Sequence, residues 1–427
     1  MELWMVITFR REKSFYFHKV RCYNLPYNKT KERNSVANVV NFIPHADDDM
    51  KDYHKKIRKH RTAVGIKYAA IICLVLLAFF GIRYYLNNRS FTGYSVASGA
   101  ERTDTLTTKY APFGDNILKY SRDGVSYTDV SNSLLFSITY TMQDPILALS
   151  GKAGAVADKN GSQIYIFDQQ QQKGQITTLL PIKHIAISNQ GVVAVLMEES
   201  QSSKLEIYSA DGTLIGDGVF DLEDAGYPMN LSISSDGTKI VIAFAQISGS
   251  KLNSCVAVYN FDNVGENYVD QLVFAKNYPE YMIPEVHYFD NRVFAAVGDG
   301  VLAFYQGTQI PELVQEVTFS DDIKSVFYGE NTVGLVFEDV EGKMLSLYDL
   351  KGNLVSQIPF ALDYDNIRIA DNYVLIYNDT EMGLYSYNGK ECFRYTFENP
   401  MVDIFTTKSR NKYLFIYTNE TQLVKLQ

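Results

Sequence analysis

PIKHIAISNQGVVAVLMEE (181–199) and YPMNLSISSDGTKIVIAFA (227–245) decide the fold, because the two segments repeat one pattern. Each reads as an apolar strand, a turn that starts with Ser and contains Gly, and a second apolar strand. A third strand that ends with an aromatic residue follows both, at IYS (207–209) and VYN (258–260). The sequence therefore predicts one β unit that recurs along the chain.

The same unit returns about every forty residues, which is the period of a four-stranded propeller blade. Its aromatic third strand is found again in IYIFD (164–168), LAFYQG (302–307), LSLYDLKG (345–352) and MGLYSYNG (382–389). The predicted units are 104–143, 144–180, 181–223, 226–279, 281–319, 320–361 and 362–398.

The last unit, 399–427, contains only three strands: VDIFTTK, YLFIYT and QLVKL. The segment TGYSVASGA (92–100) can supply the fourth strand, which would close the ring and cover an exposed strand edge. We therefore predict an all-β propeller of eight blades, with seven as the alternative. Because Trp4 is the only Trp, the domain lacks the Trp-Asp dipeptide of WD40 blades and is WD40-like in architecture only.

An uncharged apolar run, YAAIICLVLLAFFGI (68–82), precedes the β domain. A helix over 63–86 that rises about 1.5 Å per residue can cross roughly 30 Å of hydrocarbon. Basic residues are concentrated before this run, so the positive-inside rule predicts that 1–62 form a cytoplasmic arm. Residues 87–103 are then the linker with the ring-closing strand, and 104–427 are the propeller outside a single-pass cell-membrane protein.

The start of the arm has two interpretations. Lys31, Glu32 and Arg33 are the residues that a purine-rich ribosome-binding sequence would encode, and Val36 follows at a suitable distance for a GTG start codon. Residues 1–35 are therefore either translated upstream sequence or a genuine short tail. The codons over 31–36 decide between them.

The net charge of −9 is distributed unevenly, with an excess of Lys and Arg before residue 87 and an excess of Asp and Glu after it. An acidic domain without a basic stripe repels phosphate backbones, so nucleic acid is not an expected partner. Cys255 and Cys392 lie in distant units, so we expect no disulfide between them. A domain that needs no disulfide suits a bacterial envelope.

Four segments carry a resemblance to a known family: FGDNILKYSRDGVSYTD (113–129), ISNQGVVAVL (187–196), YNFDNVGENYVDQLV (259–273) and IKSVFYGENTVGLVFE (323–338). From about Val39 to the C-terminus the chain resembles an uncharacterised family of single-span bacterial envelope proteins, defined only as a domain of unknown function. The resemblance implies the same fold and topology, and it implies no chemistry.

Few residues of the β domain suit catalysis. His184 and His287 are its only histidines, and their position in predicted inner strands of non-neighbouring units favours a structural role. Zinc-ligand spacing and a G-x-S-x-G elbow are both missing from the sequence. We therefore assign no catalytic residue, no metal ligand and no cofactor.

The sequence nevertheless offers two sets of candidate binding residues. The first is acidic and precedes two predicted inner strands, where a channel mouth would place carboxylates for glycoside hydrolysis, although Asp is also common in such turns. It consists of Asp321, Asp322, Asp363 and Asp365. The second set is apolar, lies after the longest irregular insertion, 246–253, and would form an exposed patch unless it is packed at a blade junction. It consists of Tyr278, Tyr281 and Met282.

We interpret the chain as a membrane-anchored binding or scaffold module for an envelope protein, a peptide or a cell-wall glycan. The alternative is an envelope hydrolase or lyase that uses the acidic residues at the channel mouth. A sensor is a third possibility, although the short arm would then need a partner in the cytoplasm.

Overall fold

Eight four-stranded antiparallel sheets, preceded by one helix, make up the described part of the chain. A computed structural model describes residues 46–427 apart from 106, 249–250, 341, 371 and 408. In each sheet the strands follow one another in chain order, apart from the sheet that includes the first strand of the chain, and inner strands of consecutive sheets contact each other, as in sheets two to five. The protein is therefore an eight-bladed propeller, as predicted.

The helix is α1 (Ala46–Asn88). The strands are β1 (Tyr94–Glu101), β2 (Lys109–Phe113), β3 (Asn116–Tyr120), β4 (Gly124–Thr128), β5 (Leu134–Thr139), β6 (Pro145–Ser150), β7 (Ala153–Asp158), β8 (Gln163–Asp168), β9 (Gln172–Thr177), β10 (Ile182–Ile187), β11 (Val193–Glu198), β12 (Ser202–Tyr208), β13 (Leu214–Asp221), β14 (Tyr227–Ile233), β15 (Lys239–Ser248), β16 (Lys251–Asn260), β17 (Leu272–Tyr278), β18 (Glu285–Tyr288), β19 (Val293–Val297), β20 (Val301–Gln306), β21 (Glu312–Thr318), β22 (Ser325–Tyr328), β23 (Thr332–Asp339), β24 (Gly342–Asp349), β25 (Leu354–Phe360), β26 (Asn366–Ala370), β27 (Tyr373–Tyr377), β28 (Glu381–Ser386), β29 (Glu391–Thr396), β30 (Met401–Thr406), β31 (Lys412–Tyr417) and β32 (Glu420–Leu426).

Blades one to seven are β2–β5, β6–β9, β10–β13, β14–β17, β18–β21, β22–β25 and β26–β29. Blade eight combines β30, β31 and β32 with β1 from the other end of the chain. Two short 3₁₀ turns, Gly265–Asn267 and Val269–Gln271, connect β16 to β17. Each blade follows the unit boundaries that the sequence predicts.

The ring closes through an antiparallel pairing of β1 with β32, in which Tyr94 faces Leu426 and Glu101 faces Glu420. Backbone hydrogen bonds continue past the strands, because the Thr92 amide donates to the Gln427 carbonyl at 2.7 Å. The predicted closing strand is therefore confirmed. The edge of blade eight that would otherwise be exposed is paired by the residues that follow the helix.

The described residues form eight buried apolar clusters, and each cluster fills the junction between two consecutive blades. The closing junction is filled by Ile117 of blade one, which packs with Phe405, Leu414 and Ile416 of blade eight. Second strands are buried on both faces, and β19, for example, is VFAAV with every residue buried. The core is thus a cycle of junctions, and no single blade contains it.

A buried ionic cluster joins the closing strand to blade one. The Arg102 Nε and the Lys119 Nζ donate to the same Asp104 carboxylate oxygen, at 2.9 Å and 2.8 Å. Lys119 also donates to the Asn132 amide oxygen at 2.6 Å, and the Arg102 guanidinium lies 4.1 Å from the centre of the Tyr110 ring. Burial lowers the pKa of Arg102, an effect that the hydrogen bond to Asp104 opposes.

The helix starts earlier than predicted, at Ala46, so residues 46–62 of the predicted arm are helical. Its segment Tyr53–Tyr85 is long and apolar enough to cross a membrane by length and composition, and the most apolar window is unburied. The predicted alternative start at Val36, and all of 1–35, lie outside the described residues.

Two other expectations can be compared with the structure. The predicted irregular insertion at 246–253 is wrong, because β15 and β16 continue their pairing outward to Ser248 and Lys251. Gln246 and Asn253 are polar, so this part of the sequence has no apolar strand pattern, although the two residues face each other in the ladder. The prediction for the cysteines is correct, since Cys255 and Cys392 are both unpaired.

We predict that Asp104→Asn destabilises the propeller by about 3–5 kcal/mol, because two buried cations lose their shared counter-charge. Their side chains are only 1% and 7% exposed. The matched control is Asp322→Asn, whose carboxylate is 85% exposed and 3.9 Å from Lys324. We expect this control to change stability by less than about 1 kcal/mol. Denaturant unfolding measures both values, and equal stability of the two variants would show that the cluster does not hold the closing junction.

Candidate functional site

Two faces of the propeller are available to partners. The connection face is formed by the links from each outer strand to the next inner strand and by the turns between second and third strands. The linker face is the opposite one, formed by the remaining turns, and there the chain arriving from the helix attaches to Gln427. Antiparallel strand order alone assigns each turn to one of these faces.

All four acidic candidates lie on the connection face. Asp321 and Asp322 are in the link before β22, and Asp363 and Asp365 are in the link before β26, as the sequence predicts. All four side chains are exposed. They therefore belong to links that enter consecutive blades, six and seven, at the ends of inner strands.

The Lys343 ammonium donates a hydrogen bond to Asp363, which lowers the pKa of that carboxyl group. Asp168, Asp211, Asp236 and Asp349 also have lowered pKa values and accept hydrogen bonds within turns. A glycosidase needs a carboxylic acid with a raised pKa to protonate the leaving group. The pKa shifts of the five carboxyl groups above are in the opposite direction.

Acidic side chains extend well beyond the four candidates. Apart from 178–181, every link between blades contains an acidic residue, and basic residues on this face are few. The exposed acidic residues here include Asp144, Glu199, Glu223, Asp224, Glu280, Asp299, Asp379 and Glu398. The connection face therefore has a negative potential that attracts positively charged partners.

Large aliphatic side chains are exposed among these carboxylates. Leu179, in the one link without an acidic residue, is 98% exposed, and Val340 is fully exposed between β23 and β24. Ile247 near the end of β15 is 81% exposed. Apolar groups at loop tips on a charged face are typical of protein contact surfaces. Sequence reasoning missed them because their exposure depends on the ends of strands.

Of the two alternatives for the second predicted set, an exposed patch does not form, because Tyr278 is buried. Tyr278 is buried in the junction between blades four and five, where its hydroxyl contacts the Tyr305 hydroxyl. Tyr281 is partly buried and packs against the same cluster. Burial raises the pKa of Tyr278, which keeps its hydroxyl protonated. The alternative of packing at a blade junction is the correct one.

Both histidines lie on inner strands, in blades three and five. His287 stacks on the Tyr328 ring of the next blade, with centroids 4.3 Å apart, and burial lowers the pKa of His287 to about 4. The pKa of His184 is also lowered, by burial and by nearby Lys159 and Lys183. Neither side chain is part of a nucleophile and base pair in the described hydrogen bonds.

An ion pair near the centre was missed by sequence reasoning. The Arg368 Nη2 on β26 lies 2.8 Å from the Asp403 Oδ1 on β30, and the Arg368 Nε donates to the Tyr377 hydroxyl at 3.0 Å. The only sequence signal was one Arg within the apolar strand NIRIA. Because both charges are compensated, the cluster links blades seven and eight and offers no free charge to a ligand.

The linker face contains a cleft with a volume of about 960 Å³. Arg89, Phe91, Val355, Tyr387 and Arg410 are among the residues that line it. The cleft extends over blades six to eight beside the arriving chain. The residues that the structure describes contain no group of His, Cys, Asp or Glu side chains that could hold a metal ion.

Solved structures with a similar fold have little sequence in common with this chain. The structure of Sqt1 from Saccharomyces cerevisiae aligns with a TM-score of 0.51 at 13% identity, over 80% of this chain and 99% of that one. BamB from Moraxella catarrhalis gives 0.48 at 11% identity, over 78% and 100% of the two chains. The WD40 domain of Pan2 from Neurospora crassa gives 0.40 at 10% identity, over 66% and 88%. The similarity to Sqt1 supports the fold alone.

No curated protein matches the sequence. A family model does match, over residues 87–426, which is the whole propeller with its closing strand. The match ends at the last residue of β32 and starts before β1, so the family includes both strands of the ring closure. The chain belongs to the Family of unknown function (DUF5711).

Proposed function

We propose that this protein is a single-pass membrane protein whose propeller lies outside the cytoplasm and binds an envelope protein through the connection face. The observation that carries the proposal is the composition of this face, where exposed carboxylates surround exposed aliphatic side chains. Such a surface fits a protein or peptide with basic and apolar groups. A cell-wall glycan is the other ligand class, and the experiment below distinguishes it.

The topology in this proposal is supported by the helix and its flanks. The segment Tyr53–Tyr85 has the length and hydropathy of a membrane span. Lys51, Lys55, Lys56, Arg58, Lys59 and Arg61 lie at its N-terminal end, while few basic residues follow the span. Basic residues are retained on the cytoplasmic side, so the propeller would be on the other side.

Binding rather than hydrolysis is favoured by the state of the acidic residues. A catalytic pair needs one protonated carboxyl group and one ionised carboxylate that face the same bond. The four acidic candidates are instead exposed, and Asp363 pairs with Lys343. These features suit a charged surface that attracts and orients a partner.

We predict that a protease added to intact spheroplasts digests the chain after residue 88 and spares its N-terminal arm. The linker and the surface turns would be accessible outside, while the membrane protects the arm. Immunoblotting with tags at both ends measures this, with permeabilised cells as the control in which both ends are cleaved. Protection of the C-terminal tag in intact spheroplasts would contradict the proposed orientation.

We further predict that a photo-crosslinking amino acid at Leu179 or Val340 captures an envelope protein in living cells. The matched control is Val269, which is 84% exposed but lies on the linker face, in the turn before β17. Mass spectrometry of the products identifies the partner, and Asp321→Lys with Asp322→Lys should reduce its capture by roughly tenfold through charge repulsion. Equal capture from Val269, or products that contain glycan and no protein, would reject the proposed partner class.

A further inference from the structure

Four outer strands have consecutive exposed apolar residues at the same end. These pairs are residues 134–135, 214–215, 313–314 and 354–355, at or next to the first residue of β5, β13, β21 and β25. Neighbouring side chains of a strand point in opposite directions, so each pair is uncovered on both sides of its blade. The individual side chains are between 40% and 61% exposed.

All four pairs lie on the rim of the linker face, because the outer strands start there. At the other ends of β5, β13 and β21 the last residues are Thr139, Asp221 and Thr318, which are polar and exposed. Blade four adds Val269, 84% exposed, in the turn before its outer strand. Exposed apolar residues are normally scattered singly on a soluble domain. Their repetition along one rim therefore indicates that this rim contacts an apolar environment.

The cleft on this face places two arginines beside the apolar rim, and the Glu330 carboxylate lines the cleft as well. Arg89 and Arg410 line the cleft, and Val355, which belongs to one of the four pairs, lines it as well. Arg89 is exposed. Aliphatic side chains next to arginines are the composition of surfaces that lie at the boundary between lipid headgroups and acyl chains.

The length of the chain between helix and propeller limits how far this face can be from a membrane. The apolar helical segment ends at Tyr85, and the Phe91 amide donates to the Cys392 carbonyl at 2.7 Å on the linker face. Residues 86–90 lie between them and at about 3.5 Å per residue reach at most roughly 20 Å. The headgroup layer alone takes up roughly 6 Å of this distance.

From these observations we propose that the linker face rests on the lipid surface of the membrane in which the helix is anchored. The four apolar pairs enter the interface, and Arg89 faces the lipid phosphates. This inference rests on the membrane anchoring proposed above and deepens it.

Brominated lipids, which quench Trp fluorescence on contact, test this docking in the full chain. Trp4→Phe removes the only natural Trp. Single Leu214→Trp and Leu354→Trp variants, reconstituted in phosphatidylglycerol vesicles with dibrominated acyl chains, should lose roughly half of their fluorescence, since interfacial groups insert about 5–10 Å. The matched control, Val219→Trp at the other end of β13, should lose almost none.

A second control separates this proposal from the anchoring on which it rests. Leu77→Trp lies within the apolar helical segment and should be quenched whenever the helix is inserted. Quenching at position 77 without quenching at position 214 overturns the docking and leaves the anchoring intact. If neither position is quenched, both proposals are wrong. Equal quenching at positions 214 and 219 also overturns the docking, because contact would not be limited to one rim.

The lipid composition tests the role of the cations. We expect quenching of Leu214→Trp to be stronger in phosphatidylglycerol than in phosphatidylcholine, and Arg89→Gln to reduce this difference. Inorganic phosphate should not reproduce the effect of the anionic lipid if the ligand is a headgroup within the surface. A dimer that shields residue 214 from lipid, detected by chemical crosslinking in the same vesicles, would instead assign the rim to a second copy of the chain.

Discussion

The antiparallel pairing of β1 with β32 is the constraint on which the rest of the molecule depends. A propeller without it would have a three-stranded last blade and an unpaired edge, which invites association with other chains. Because β1 begins only a few residues after the apolar helix, the pairing also fixes where that helix joins the ring. Closure of the fold and the attachment of the chain that follows the helix therefore depend on the same residues.

The distribution of the core explains why this closure matters to every blade. Buried clusters lie between blades, so each blade is stabilised by two neighbours and an open ring would leave two blades with one exposed side each. At the closing junction the apolar contacts of Ile117 are joined by the buried cluster of Arg102, Asp104 and Lys119. Breaking this cluster lowers the stability of the domain more than breaking an exposed ion pair does, since the charges of the cluster are buried.

Sequence reasoning predicted the eight blades and the closing strand because alternation and turn residues are local signals that survive in a single chain. It failed where the outcome depends on a neighbouring blade or on strand ends. Tyr278 resembled a surface aromatic, but its partner Tyr305 comes from the next blade. The extension of β15 by Gln246 had no apolar pattern. The four apolar pairs of the rim are unremarkable in sequence, and they form a set only when strand direction places them on one face.

Amide hydrogen exchange of residues 94–101 in the full chain measures the ring closure most directly. If β1 pairs with β32, the alternate amides of β1 that donate to β32 exchange as slowly as those of β31, because they open only when blade eight opens. The amides on the outer edge of β1 exchange fast in either case. Slow exchange at every second residue of 94–101 is the result that the closed ring predicts, and fast exchange at all of these residues while β31 stays protected would contradict it.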